Sequence, residues 1–122
     1  MAFHSDQSLD AKLTFALTSA HTTAGTWTIG KLPAGYRIYR ISVLTSVAGT
    51  GSSSPTFSLG ISGSTAKYKA DGALTVSAGV ATYTVVGATA PTAEETIIMT
   101  TTGTLPTNST YDALLIVEVI RV

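Results

Sequence analysis

Cysteine is absent from the 122 residues. That excludes a disulfide framework and a thiolate-held metal, and it fits assembly in a reducing compartment. Charge is scarce as well. Seven Lys and Arg offset seven Asp and Glu, and charged residues make up only 11% of the chain, against about 25% in ordinary globular proteins. A nucleic-acid binder needs a cationic surplus on one face, so nucleic acid is not an expected partner. Long apolar runs are missing too. The longest is Ala113 to Val117, well short of the ~20 residues of a spanning helix, and no membrane partner is expected. The first ten residues carry Asp6 and Asp10 and have no apolar centre, unlike a secretory signal.

Hydroxyls take the place of charge. Serine and threonine supply about 29% of the residues. Threonine is β-branched and suits a pleated, half-exposed surface. A neutral surface of this kind repels neighbours weakly, which suits a protein that lives in close company.

Period-two alternation dominates the chain. Ala11 to Ser19 places Leu13, Phe15 and Leu17 on one face. Thr26 to Lys31 turns Trp27 and Ile29 inward. Leu32-Pro33-Ala34-Gly35 is a turn, since proline fixes φ and glycine permits positive φ. Tyr36 to Val47 follows, with Tyr39, Ile41, Val43 and Val47 on one face together with Arg37. Arg40, Ile38 and Leu44 lie opposite. Apolar residues on both faces predict a central strand or an interface.

Phe57, Leu59 and Ile61 give the cleanest alternation. Gly60 and Gly63 after them predict a bulge or a close backbone approach. Ala66 to Ala70 reads as a short edge strand with the charges of Lys67 and Lys69 in solvent, and Asp71-Gly72 as a hairpin turn. Val80 to Val86 places Ala81, Tyr83 and Val85 on one face. Glu95 to Thr102 turns Ile97 and Met99 inward. Tyr111 to Val122 carries Tyr111, Ala113, Leu115, Val117 and Val119 on one face and Leu114, Ile116 and Ile120 on the other, so it reads as covered on both sides. No stretch has a 3.6-residue period. Eight or nine short strands at this spacing predict an all-β antiparallel β-sandwich. No cysteine pair brackets Trp27, which favours a jelly roll of about eight strands over an immunoglobulin-like sandwich. Residues 1–10 read as an extended arm and 11–122 as one sandwich domain.

A reacting group is hard to find. His4 lies in the arm and His21 in a turn, and no G-x-S-x-G elbow accompanies a serine; His21 reads as a solvated turn residue. Glu94 and Glu95 are adjacent, so on a strand they point to opposite faces. Asp112 and Glu118 share a face with Leu114, Ile116 and Ile120, and Arg121 is placed to screen Glu118. Asp71-Gly72 stands alone as a calcium ligand set, and zinc lacks ligands. No metal, cofactor or catalytic set is expected, and Asn108-Ser109-Thr110 reads as a loop. Among the aromatics, Tyr39, Tyr83 and Tyr111 fall on core faces, while Tyr36 and Tyr68 are the freer contact candidates.

Four stretches, IGKLPAGYRIYRISVLTSV, PTFSLGISGS, ALTVSAGVATYTVV and YDALLIVEVIRV, resemble small virion proteins of tailed phages. The likeness covers roughly residues 26–122, and its closest kind is the jelly-roll capsid decoration, or cement, protein. The resemblance implies a structural, non-enzymatic protein made in the host cytoplasm and placed on the capsid exterior. It also implies a homodimer or homotrimer that bridges major capsid protein subunits. Phe3 and His4 of the arm, with Tyr36, Arg40, Tyr68, Leu114, Ile116 and Ile120, form the candidate interface. The alternative is a carbohydrate- or receptor-binding module of a tail or fibre. A fibre head normally follows a shaft, and a chain of this length starting at Met1 is expected to have no room for one.

Overall fold

The computed structural model describes residues 10–21, 24–87 and 89–121. They form eight strands: β1 (Asp10–Thr18), β2 (Gly25–Leu32), β3 (Tyr36–Val47), β4 (Ser53–Ile61), β5 (Ser64–Ala73), β6 (Gly79–Tyr83), β7 (Glu95–Thr104) and β8 (Asp112–Arg121). The one helical element among the described residues is a 3-10 turn, Ser19–His21. Two four-stranded sheets result, one in the order β1-β8-β3-β6 and the other in the order β2-β7-β4-β5.

The pairing is nested. β1 pairs with β8, β2 with β7, β3 with β6 and β4 with β5, all antiparallel. This is one long folded hairpin wrapped into two layers, the jelly-roll arrangement. The β3–β8 and β4–β7 pairings stitch the wrapped hairpin into sheets. β3 and β8 are the two central strands of the first sheet, a position that fits the reading of residues 36–47 as a central strand or an interface; β8, expected to be covered on both sides, is buried on its inner face and half-exposed on its outer one. The core between the layers is built from Leu17, Ile38, Ile41, Val43, Phe57, Leu59, Ile97, Met99, Leu115 and Val117, each at most 1% exposed, with their neighbours.

Two bulges in β3 change the faces that simple alternation assigns. The register slips between Ile38 and Arg40, so Tyr39 is the extra residue. A bulge inverts the phase of everything before it. Ile38 therefore turns into the core at 0% exposure, while Tyr39, expected inside, is 38% exposed. Arg37, expected on the core face, falls in phase with outward Ile120. The second slip, between Thr45 and Val47, leaves Val47 exposed.

β5 also departs from expectation. Asp71 and Gly72 lie inside the strand, and the β4–β5 turn is at Ser62 and Gly63. Gly63 has φ of 87°, which an L side chain rarely adopts. A Cβ on Gly60 would collide with the Ser64 and Thr65 backbone, the close approach its position predicts. β5 is an edge strand, but Tyr68 and Lys69 are buried, at 0% and 5% exposure. The reason is the segment after β6, where the Val86 amide donates to the Tyr68 carbonyl at 2.8 Å and covers the edge. Asp10, assigned to the arm, is the first residue of β1; residues 1–9 lie outside the described residues.

Candidate functional site

Strand register and alternation define the outward face of the β1-β8-β3-β6 sheet. One row across it is Ala16–Leu114–Leu44–Val80, and the next is Thr14–Ile116–Ser42–Thr82. A third is Lys12–Glu118–Arg40 and a fourth Ile120–Arg37. Five large apolar side chains stay exposed among the described residues, and four of them, Tyr39, Leu44, Val47 and Val80, belong to this face. Val80 is 70% exposed. A concentration of apolar surface on one side marks a contact surface, where scattered single residues would not.

The outward face of the other sheet is different. Its rows are Thr26–Thr100–Ser58 and Thr102–Thr56, and the Thr56 and Thr102 hydroxyls bond to each other. Ile98 is the apolar interruption, half-buried between Thr28 and Gly60. Thr26, Thr28 and Thr102 are exposed on this face while Ser58 is buried, and the large exposed apolar side chains of strands lie on the first sheet.

A polar cluster borders the apolar rows. The Arg40 Nε lies 2.9 Å from Glu118 Oε2, and the Tyr39 hydroxyl donates to Glu118 Oε1 at 3.0 Å. The Arg40 guanidinium stands 5.6 Å from the Tyr39 ring centroid. The hydrogen bond with Tyr39 and then the charge of Glu118 raise the Arg40 pKa. Arg40 is the partner of Glu118, in place of the expected Arg121. Tyrosine and arginine are the residue types enriched at interface hot spots, and the bulge brings this pair to the surface.

Four of the candidate interface residues converge here: Arg40, Leu114, Ile116 and Ile120. Tyr36 sits at the end of the same sheet opposite Arg121, half-buried against the core. Tyr68 does not belong. It is buried, and its hydroxyl donates to Glu95 Oε1, so it is no exposed contact. Phe3 and His4 lie outside the described residues. Sequence reasoning missed Tyr39, Val47, Val80 and Lys12. The available signal was Arg37 on a supposed core face, a phase error that a bulge removes.

Several other ionisable or polar groups have structural partners. Lys67 Nζ is 2.5 Å from Glu95 Oε2, so the Lys67-Tyr68-Lys69 stretch is no solvated edge. Burial pushes the Glu95 carboxyl up, but hydrogen bonds from Lys67 and Tyr68 and the Lys67 charge outweigh it, and its pKa is lowered. His21, read as solvated, is half-buried: its ring lies 5.1 Å from that of Phe15 and 4.7 Å from that of Trp27, and its Nδ1 accepts from the Thr18 amide. Asn108 ties two loops together through the Thr50 amide and the Ala48 carbonyl. Asp112 and Glu118 are six residues apart on β8, about 20 Å at strand rise, beyond the ~5–9.5 Å of a glycosidase pair.

No protein-family model matches the chain, and no curated protein matches it in sequence. Its fold is shared with chains from phage capsids. One, from the cyanophage Pam1 capsid asymmetric unit, superposes with a TM-score of 0.66 at 18% identity over 93% of this chain and 83% of that one. A second, from the acid-stable capsid of Helicobacter pylori bacteriophage KHP30, gives 0.63 at 12% identity over 92% and 87%. A third, from the capsid of Ralstonia phage GP4, gives 0.60 at 16% over 93% and 83%. At these identities the likeness is one of fold.

Proposed function

We propose that this protein is a non-enzymatic structural component of a phage virion, a decoration protein that docks on the capsid exterior and bridges major capsid protein subunits. The observation that carries the reading is the apolar outward face of the β1-β8-β3-β6 sheet, displayed on a fold shared along nearly its whole length with chains of phage capsids. The opposite sheet, with Thr26, Thr28 and Thr102 exposed, suits the side left in water.

The mechanism needs no chemistry beyond binding. A ligand whose site spans several assembled subunits binds the shell better than it binds free subunits, so it stabilises the shell by mass action. Self-association into a homodimer or homotrimer multiplies the contacts, and bridging raises effective concentration. The hydrogen-bonded strands supply a pre-formed platform, which keeps the ordering cost of docking low. Co-sedimentation with capsids of the parent phage that lack this protein tests the proposal. Saturable binding to shells, with a rise in their melting temperature, is the expected result. Protein that stays in the supernatant at every concentration refutes it.

A further inference from the structure

The balance of seven cations against seven carboxylates conceals an uneven distribution. On the second sheet and its flanks, cations have acidic neighbours: Lys31 lies 3.7 Å from Glu94, Lys67 is 2.5 Å from Glu95, and Lys69 feels the charge of Asp71. The first sheet is polarised. Lys12, Arg37, Arg40 and Arg121 gather at the end where β1 begins and β8 finishes. Among the described side chains the carboxylate at that end is Glu118, which is bound by Arg40; Asp10 opens β1 there, its backbone paired with Ile120. Among the described residues, four cations thus stand against two acidic residues at that end. The remaining acidic residue of the sheet, Asp112, is opposite Thr18 and Val47 at the far end, about 20 Å away by strand rise and beyond a Debye length at physiological salt.

From this we infer that the outward face of the β1-β8-β3-β6 sheet docks against an acidic protein surface, with partner aspartates or glutamates meeting Lys12, Arg37 and the free edge of Arg40, and apolar partner side chains meeting Leu44, Leu114 and Val80. The inference rests on the capsid-docking reading and names the chemistry of its partner. Arg40 is held ready for this. Glu118 and the Tyr39 ring fix the guanidinium, Glu118 engages its Nε and one Nη2 hydrogen, and arginine carries five donors in a rigid fork. The rest of the fork points away from the carboxylate that positions it. A second copy of this chain is a poor occupant. Two identical faces stacked in parallel oppose their cationic ends; stacked antiparallel, they offer three or four cations the single Asp112. Nucleic acid fits less well, because a leucine and valine row crosses the face.

The test is co-sedimentation of the full chain with capsids lacking it, over 50 to 500 mM NaCl, for the natural protein, Lys12→Glu, Arg37→Glu and Val80→Ser. Lys12 is exposed and Arg37 half-exposed, and unchanged circular dichroism of the single variants verifies folding. The expected result is an affinity that falls as salt rises, a loss of about tenfold or more for each charge reversal at 50 mM, and a salt response in Val80→Ser that parallels the natural protein. Binding that ignores salt and both reversals overturns the acidic partner and leaves the capsid reading standing. Absence of binding by the natural protein overturns both. Dimer formation in sedimentation velocity that disappears in Arg37→Glu identifies a second copy as the occupant and overturns the inference. So does tighter binding to a double-stranded DNA oligonucleotide than to capsids.

Discussion

The Lys69 ammonium lies 4.1 Å from the centroid of the Phe57 ring, and the carbonyl of the same phenylalanine accepts its hydrogen bond at 3.0 Å. The Ala70 carbonyl accepts a second bond at 2.9 Å, and the Tyr83 ring stands 5.1 Å away. This buried cation is held by ring faces and peptide dipoles. Such a group is costly to bury and well satisfied once there. Methionine fills the same volume without the charge. Lys69→Met is expected to stay within about 1 kcal/mol of the natural protein, while Lys69→Ala loses about 2–4 kcal/mol by cavity formation. Urea unfolding checks this. Equal losses in both variants would mean that the ammonium itself holds β5 to β4.

The same lysine predicts an alkaline effect. Burial lowers its pKa from the ordinary 10.5, only partly offset by Asp71. Between the lowered value and 10.5 the unfolded chain binds more protons, so stability rises with pH across that window. Tyr111 acts in the opposite sense. Burial, followed by the influence of Tyr83, pushes its pKa from 10.0 up to about 12, so the folded form retains a proton that the unfolded form releases, and stability falls as pH climbs above about 10. Tyr68, raised by burial and by Glu95, acts in the same sense as Tyr111, so urea midpoints are expected to fall above about pH 10, and on the approach to that pH to run higher relative to neutral pH in the natural protein than in Lys69→Met. Parallel midpoint profiles in the two proteins contradict the lysine assignment.

Acid exposes a different partnership. Glu95 accepts from Lys67 and from buried Tyr68, and its pKa lies below 4.5. A depressed carboxylate contributes stability above its unfolded pKa and loses it as pH falls through the folded value. Melting temperature is therefore expected to drop below about pH 4.5, and the drop should shrink in Glu95→Gln. At neutral pH, Glu95→Ala is expected to cost about 2 kcal/mol, because the Tyr68 hydroxyl is left buried without its acceptor. Identical acid profiles for Glu95→Gln and the natural protein would rule out this role.

Gly60 is a packing requirement of the β4–β5 hairpin. Any Cβ there meets the Ser64 and Thr65 backbone, which cannot rotate away as a side chain can. Gly60→Ala is expected to lose about 2–4 kcal/mol, and Gly35→Ala much less, since nothing lies within 4 Å of a Cβ at Gly35 apart from its own turn strain. Thermal denaturation of both variants compares them; similar losses would show that backbone conformation, and not the close approach, decides.

Leu44 and Val80 are apolar but 40% and 70% exposed. Replacing each with serine is expected to change folding stability by no more than about 0.5 kcal/mol for Val80 and 1 kcal/mol for Leu44, while weakening capsid binding. Large destabilisation with unchanged binding would make these residues part of the fold alone.

Residue order by itself determined the all-β class, most strand positions and the core residues of β4, β7 and β8. Period-two alternation is local, and burying one face of a pleated strand leaves little choice of which residues go inside. The absence of a catalytic set was also an expectation of composition. Tertiary structure alone decided what faces outward. The bulge at Tyr39 exchanges Ile38 for Arg37 across β3, and its position is set by the register with β8, a strand some eighty residues later. Tyr68 and Lys69 are buried because a distant segment covers their edge. Lys12, Glu118 and Arg40 become neighbours only when β1, β8 and β3 pair. A contact surface is built from cross-strand rows, and those rows do not exist until the hairpin has wrapped.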